Sequence, residues 1–315
     1  MPCVASYSAN MDRLDGGAAL PLRWHGGIVA LGNFDGFHAG HQAVVARALE
    51  LARAAGKPGM VATFDPHPVR YFKPDAAPFA LTNIDQRERL FAEAGADAMI
   101  VFPFNASLAA LSAEEFIRDR LGGIGGVVTG EDFTFGRGRS GNVEALRELG
   151  RQYGFIADAV NPVLLSGEPV SSSRIRAALE AGEVETATRL LTRPFAIAGH
   201  VQHGDKVGRT IGFPTANIAI ENYLRPRYGI YAARVKLPDG RSFDGAANIG
   251  IRPSFDPPKE LLEAYLFDFE GDLYDEVIDV ELHAFIRPEA RFETIEALVA
   301  QMALDCDAAR TILTR

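Results

Sequence analysis

Two histidines three residues apart, His38 and His41, close the segment Gly32-Asn33-Phe34-Asp35-Gly36-Phe37-His38-Ala39-Gly40-His41. The segment follows the apolar run Ile28–Leu31 and precedes an amphipathic run, so the pair falls where a strand passes into a helix. Residues three apart share a helical face. At a helix N-terminus they stand beside free backbone N–H groups and the positive end of the dipole. Gly40 between them lets a nucleotide approach the backbone closely. Such a site suits a ligand that gains negative charge at an α-phosphate during nucleotidyl transfer. The plainer alternative has His38 capping the helix and His41 packing. Two histidines flanking a glycine at a strand–helix junction favour the chemical reading.

Val170-Ser171-Ser172-Ser173-Arg174-Ile175-Arg176 opens a second helix. Hydroxyls and amides at a helix start, with an arginine one turn in, form an anion clamp. Ser172, Ser173 and Arg176 are the expected clamp, and N-capping by Ser172 or Ser173 is compatible with it. Further on, the loop with Gly204, Lys206, Gly208 and Arg209 can wrap phosphates with backbone N–H groups. Thr215 and Asn217 point the same way if the chain there is extended. Their neutral oxygens suit Mg²⁺ when ATP supplies the anionic ligands. A solvated hairpin followed by an edge strand is the alternative, and the ending Pro214-Thr215-Ala216-Asn217 counts against it. Glu263 sits among Leu261, Leu262, Tyr265 and Leu266. A carboxylate in an apolar strand needs a reason, although an outward-facing charge on an alternating strand fits the pattern equally well.

Gly136-Arg137-Gly138-Arg139-Ser140-Gly141 fits a GxGxxG pattern, with Asp158 downstream. A dinucleotide fingerprint turns directly from strand to helix, whereas Glu131–Phe135 intervene here. No GxxxxGK[ST] segment occurs.

The elements that must carry these groups follow from hydrophobic periodicity. The first half reads as strands at Ile28–Leu31, Gly59–Phe64, Ala98–Phe102, Val127–Thr129 and Phe155–Val160. Helices over Gly40–Ala55, Ile84–Ala94, Ala113–Leu121 and Val143–Tyr153 alternate with them. That alternation predicts a doubly wound parallel sheet with ligands beyond the strand C-termini. From Phe195 to Phe285, β-type runs at Ala196–Val201, Tyr228–Lys236, Gly245–Ile249, Leu262–Phe269 and Val277–Phe285 predict a small antiparallel barrel. A helix from about Thr294 to Ile312 closes the chain, and the boundary is expected near Glu183–Arg193.

The length of 315 residues accommodates two domains. The net charge of -9 argues against a nucleic-acid binder. Cys3 and Cys306 stand at opposite ends with no Cys/His cluster, which supports neither a disulfide framework nor a zinc site. Cys306 continues the apolar face Phe292, Ile295, Leu298, Val299 and Met302, so core packing is its expected role. With no apolar run of membrane-spanning length and no signal-peptide pattern, a reduced, cytoplasmic setting is the default expectation.

The His38–His41 segment resembles the HxGH signature of the nucleotidyltransferase superfamily, and its wider wording is similar to that of bacterial FAD synthetases. Thr63-Phe64-Asp65-Pro66-His67-Pro68, Gly130-Glu131-Asp132-Phe133-Thr134-Phe135-Gly136 and the Val170–Arg176 segment resemble further motifs of that family, with Ser173 where threonine is usual. The stretch Gly199–Ile218 resembles the riboflavin kinase family. So do Gly229-Ile230-Tyr231, Ala247-Asn248-Ile249-Gly250-Ile251-Arg252-Pro253, Leu262-Glu263-Ala264-Tyr265-Leu266 and Asp272-Leu273-Tyr274. Ser254 and Asp275 depart from the usual threonine and glycine.

The resemblance implies a bifunctional riboflavin kinase/FAD synthetase of bacterial type. Residues 1–186 would form an HxGH-type FMN adenylyltransferase domain, and 187–315 a β-barrel riboflavin kinase domain with a C-terminal helix. It implies ATP at Gly32, Phe34, Asp35, Gly40, Ser172, Ser173 and Arg176, and flavin at His67, Asp132 and Phe133, with His38 and His41 stabilising transfer. In the second half it implies Glu263 as general base, and ATP at Gly204, Lys206, Gly208, Arg209, Thr215, Asn217 and Asn248. Mg²⁺ would sit on Thr215 and Asn217. The expected partners are riboflavin, FMN, FAD and ATP, without nucleic acid or membrane, in a monomer or weak homo-oligomer. The alternatives are a chain that retains only one activity, an HxGH enzyme for another acceptor, and a non-catalytic flavin carrier.

Overall fold

The computed structural model of the chain describes residues 11–203, 212–252 and 259–314. Two compact units form: one from residues up to Ala76 together with Ile84–Val170, the other from Ala77–Asn83 together with Ser171 onward.

In the first unit the apolar runs become strands, four of them largely buried and the last, at the sheet edge, partly exposed. They are β2 (Ile28–Leu31), β3 (Gly59–Asp65), β4 (Ala98–Pro103), β5 (Gly126–Gly130) and β6 (Ile156–Val160), joined by β1 (Asp12–Asp15). The order is β1-β4-β3-β2-β5-β6 and every pairing is parallel. Alternation along the strands sorts their side chains between two cores. Ile28, Ala30, Val61, Met99 and Val128 face α1 (Ala39–Ala55) and Phe91 of α3 (Ile84–Glu93). Val29, Leu31, Met60, Ala62, Phe64 and Phe102 face α5 (Ala113–Arg120) and α6 (Val143–Tyr153) through Phe116, Ile117, Leu146 and Leu149. Two short helices, α2 (Pro68–Phe72) and α4 (Ala106–Ala110), sit in the connections, and a two-stranded antiparallel hairpin of β7 (Leu164–Leu165) and β8 (Glu168–Pro169) follows the sheet. The chain order reverses between β2 and β5, which is the switch point where such sheets take ligands. The expected doubly wound sheet is therefore present. Strand β1 escaped prediction because its sequence, Asp-Arg-Leu-Asp, is mostly charged; at a sheet edge those charges stay in water and guard the edge.

In the second unit, α7 (Ser172–Ala181) and α8 (Val184–Leu191) precede a closed antiparallel barrel. Its strands are β9 (Phe195–Gln202), β10 (Ala216–Ala219), β11 (Gly229–Lys236), β12 (Ser242–Arg252), β13 (Lys259–Leu266) and β14 (Val277–Arg287). The order is β10-β13-β12-β11-β14-β9, and β10 closes the ring by pairing with both β13 and β9. Ile197, Ile218, Val235, Ile249, Leu262, Ile278 and Val280 fill the interior and are 0% exposed. Gly199 is needed inside: a Cβ there would lie 2.4 Å from Ile218 Cγ2. The stretch expected to hold the boundary is helical here, with Val184, Ala187, Leu190 and Leu191 of α8 buried.

The C-terminal helix (Ile295–Leu313) lies on the barrel's outer face, where Ala309 joins Ala232, Phe267 and Ala284. The expected face holds only in part, since Ile295 is 63% exposed and Phe292 precedes the helix. Cys306 packs at the edge of this cluster, and burial pushes its thiol pKa up to about 11, which disfavours the thiolate. The helix is locked by Arg287 Nε and Nη2, which donate to Asp305 Oδ1 at 2.8 Å and Oδ2 at 2.6 Å, while Gln301 Nε2 donates to Oδ1 at 3.0 Å. Asp305 is 5% exposed, so removing its charge strands Arg287. Asp305→Asn is expected to cost about 3 kcal/mol, read as a lower urea midpoint for the barrel unit.

Two candidate active sites

In the first unit three expected segments leave the C-terminal edge of one parallel sheet. The histidine segment follows β2, Asp65-Pro66-His67 ends β3, and Glu131-Asp132-Phe133 follows β5. The turn after β2 is tight: Phe34, Gly36 and Phe37 have φ of 50°, 84° and 40°. Burial offsets the strain at the two phenylalanines, which are 1% and 4% exposed and both pack edge-on to Phe91. Phe34 also meets His41 edge-on, with ring centroids 5.3 Å apart.

His38 is the N-cap of α1 and accepts from the His41 backbone N–H through Nδ1 at 3.3 Å. Its ring lies stacked on His41, centroids 3.6 Å apart at 18°. The capping expected of His38 under the plainer alternative is therefore present. An Nδ1 that accepts carries no proton, so the neutral ring's proton sits on Nε2, a donor. Gly40 is held small by His38 itself: a Cβ there would meet His38 Cε1 at 3.2 Å and Nδ1 at 3.3 Å. Asp35 and His38 are buried, and Gly32 packs against the Phe34 ring.

His67 caps α2, accepting from the Val69 N–H at 3.2 Å. Asp132 is exposed, and Phe133 is half-buried and stacked on Phe135. The GxGxxG stretch makes a short 3-10 turn, Arg137–Arg139, and not a strand-to-helix turn, so the dinucleotide reading fails on geometry.

In the second unit the N-cap of α7 is Ser171, which accepts from the Arg174 N–H at 3.3 Å. Ser172 and Ser173 are the first helical residues and do not cap, contrary to the expectation, because the chain becomes helical one residue earlier. Arg176 is fixed by donating from Nε to Phe79 O at 2.8 Å and lying over the Phe79 ring.

On the barrel, register unites residues far apart in the chain. Asn217 of β10 opposes Glu263 of β13, and Glu263 opposes Asn248 of β12. Directly paired residues put their Cβ atoms ~4.5–5.5 Å apart on one face. Ile218, Leu262 and Ile249 form the neighbouring row that points inward, so the Asn217–Glu263–Asn248 row faces outward and is half-buried. The outward-facing alternative for Glu263 is thus correct, and it coincides with a polar row. Asn248 Oδ1 is buried without a hydrogen-bond partner. One residue pair further, Tyr265 meets Phe213 edge-on at 5.2 Å. At the barrel's end Arg225 holds the Glu260 carboxyl below its usual range, while burial and then Glu260 push the Tyr228 phenol up to about 12. Gly204, Lys206, Gly208 and Arg209 lie outside the described residues.

Sequence reasoning missed Ser171, Thr63 and Arg87. Arg87 left a signal: it stands one helical turn before Phe91, a charge on the buried stripe of α3.

Fold and side-chain placement define a transferase class in which an α/β nucleotidyl-transfer unit and a barrel unit share one chain. Residues 21–174 match the FAD synthetase family and residues 191–313 the riboflavin kinase family. A bifunctional riboflavin kinase/FMN adenylyltransferase from Pseudomonas fluorescens is 42% identical over 91% of this chain and 94% of its own. One from Escherichia coli K12 is 39% identical over 89% and 90%. A solved structure described as a macrolide-efflux protein from Streptococcus pneumoniae is 29% identical, with a TM-score of 0.83, covering 95% of this chain and 99% of that one. The chain belongs to the bifunctional riboflavin kinase/FMN adenylyltransferase family. Among the described residues no helix is long and apolar enough to cross a membrane.

Proposed function

We propose that this chain phosphorylates riboflavin to FMN on its barrel and adenylylates FMN to FAD at its parallel sheet, each step at the expense of ATP. The observation that carries the reading is the pair of unlike sites: stacked histidines at a helix N-terminus in one unit, and a carboxylate between two amides in the other. With the domain boundary taken at 186/187, as expected from sequence, α7 would belong to the adenylyltransferase half. The family matches leave residues 175–190 to neither half.

On the barrel, Glu263 takes the proton from the ribityl 5′-OH, whose oxygen then attacks the γ-phosphate of ATP, breaking the bond to the β,γ-bridging oxygen and releasing ADP. Thr215 and Asn217 would hold Mg²⁺ with the nucleotide. The hard, neutral oxygens of the row and the unpartnered Asn248 Oδ1 beside Glu263 fit such a cation. When bound, it neutralises charge on the phosphates. Gly204, Lys206, Gly208, Arg209 and Asn248 are assigned to ATP as well.

At the sheet, a phosphate oxygen of FMN attacks the α-phosphate of a second ATP and pyrophosphate leaves. His38 and His41 donate to the oxygens that gain charge. Gly32, Phe34, Asp35 and Gly40 shape the nucleotide pocket. From the sequence motifs, Ser172, Ser173 and Arg176 are assigned to the leaving pyrophosphate, and His67, Asp132 and Phe133 to the flavin. The use of ATP fits the cytoplasmic setting expected from sequence, and the working form is read as a monomer or weak homo-oligomer.

Incubating the purified chain with riboflavin and Mg-ATP, and following products by chromatography, tests the reading. FMN should appear and then FAD. If FMN accumulates without FAD, the adenylyltransferase assignment falls; if riboflavin is untouched, the kinase assignment falls. Gly40→Ala should displace the His38 ring by a few tenths of an ångström and lower FMN adenylylation roughly tenfold, with riboflavin phosphorylation unchanged in the same assay.

A further inference from the structure

Arg87 is 5% exposed on α3 and is charged, although burying a guanidinium costs several kcal/mol unless it is paired and hydrogen-bonded. A single nitrogen, Nη1, meets three acceptors: Thr63 Oγ1 at 2.8 Å, Phe64 O at 3.2 Å and Asn33 O at 3.3 Å. Thr63 Oγ1 in turn donates to Asn33 O at 2.9 Å. Nη2 lies 3.8 Å from Asp65 Oδ1. Burial pulls the Arg87 pKa down, while the Asp35 and Asp65 carboxylates oppose that pull.

These acceptors belong to two different segments. Asn33 lies in the turn that delivers His38 and His41, and Phe64 stands one residue before the end of the strand that delivers Asp65 and His67. Neither carbonyl is tied to the other strand at this point by the ladder alone, since the β2–β3 register ends at Leu31 and Ala62. The guanidinium therefore bridges the sheet where backbone pairing stops.

We infer that Arg87, acting with Thr63, is a positioning residue that fixes the spacing between the nucleotide-bearing turn after β2 and the flavin-bearing end of β3. This rests on the assignment of FMN adenylylation to the first unit. In-line transfer is sensitive to misplacement of one reactant against the other, so loss of the bridge falls on the chemical step more than on the binding of either substrate.

The test is steady-state kinetics of FMN adenylylation with Arg87→Met, Arg87→Lys and Thr63→Val in the full chain, alongside thermal midpoints. Arg87→Met is expected to lower kcat roughly 20-fold with KM for ATP and for FMN within about threefold of wild type. Arg87→Lys should recover most of that loss, because an ammonium carries three donors for the same three acceptors. A merely structural arginine would lower the midpoint and leave kcat per folded molecule unchanged, and that result overturns the inference. So does an Arg87→Lys no better than Arg87→Met. If Arg87→Met does not fold, Thr63→Val carries the test: a kcat fall of roughly fivefold with KM unchanged supports the bridge, and an unchanged kcat overturns it. A wild-type chain that does not adenylylate FMN overturns the functional assignment itself, and this inference with it.

Discussion

Glu263→Gln is expected to lower riboflavin phosphorylation by ~10²-fold or more while leaving FMN adenylylation at the wild-type rate. The substitution keeps shape and hydrogen-bonding reach but removes the one ionisable group of the row, whose flanking members are the amides of Asn217 and Asn248. Neither amide can take the proton of an attacking hydroxyl. The fold should tolerate the change, because the side chain faces outward and the interior row of Ile218, Leu262 and Ile249 is untouched. The loss should appear in kcat and kcat/KM alike, as for an interaction realised only in the transition state. An unaltered phosphorylation rate in a folded variant would remove Glu263 from the mechanism.

His41→Ala should do the reverse, costing FMN adenylylation about 10²–10³-fold with the kinase reaction intact. The geometry makes this variant more informative than His38→Ala. The cap of α1 is a bond from the backbone N–H of residue 41 to His38 Nδ1, and alanine keeps that N–H. The helix start thus survives, while the ring stacked on His38 and edged by Phe34 is lost. His38→Ala would remove cap and imidazole together and confound the two. If His41→Ala and Glu263→Gln each abolished both activities in folded protein, a division into two sites would be untenable.

Most of the architecture was readable in one dimension. Parallel strands covered on both faces are continuous apolar runs, and the helices between them repeat their apolar residues every turn, so Ile28–Leu31 and Val143–Tyr153 are found where periodicity puts them. The exceptions have physical causes. Strand β1 is held by edge pairing and only one packed leucine, and β10 is four residues long with a polar residue facing out, so neither carries enough apolar signal. The cap of α7 moved from Ser172 or Ser173 to Ser171, because three consecutive serines offer the same hydroxyl and only the backbone path chooses among them.

Residue type and local spacing determined the class of chemistry: two histidines about a glycine at a strand–helix junction, a serine-rich helix start with an arginine, and a lone glutamate in an apolar strand. They also determined the family, because ordered motifs run through both halves. Only tertiary structure decided which distant residues meet. The row Asn217–Glu263–Asn248 exists through strand register, and a slip by one residue would send the carboxylate into the barrel. The Arg87 bridge likewise exists because α3 brings that side chain to the backbone of Asn33, just after β2, and of Phe64, near the end of β3. Sequence specifies local propensity and the sign of each side chain, whereas register and helix packing, set by the whole core, choose the partners.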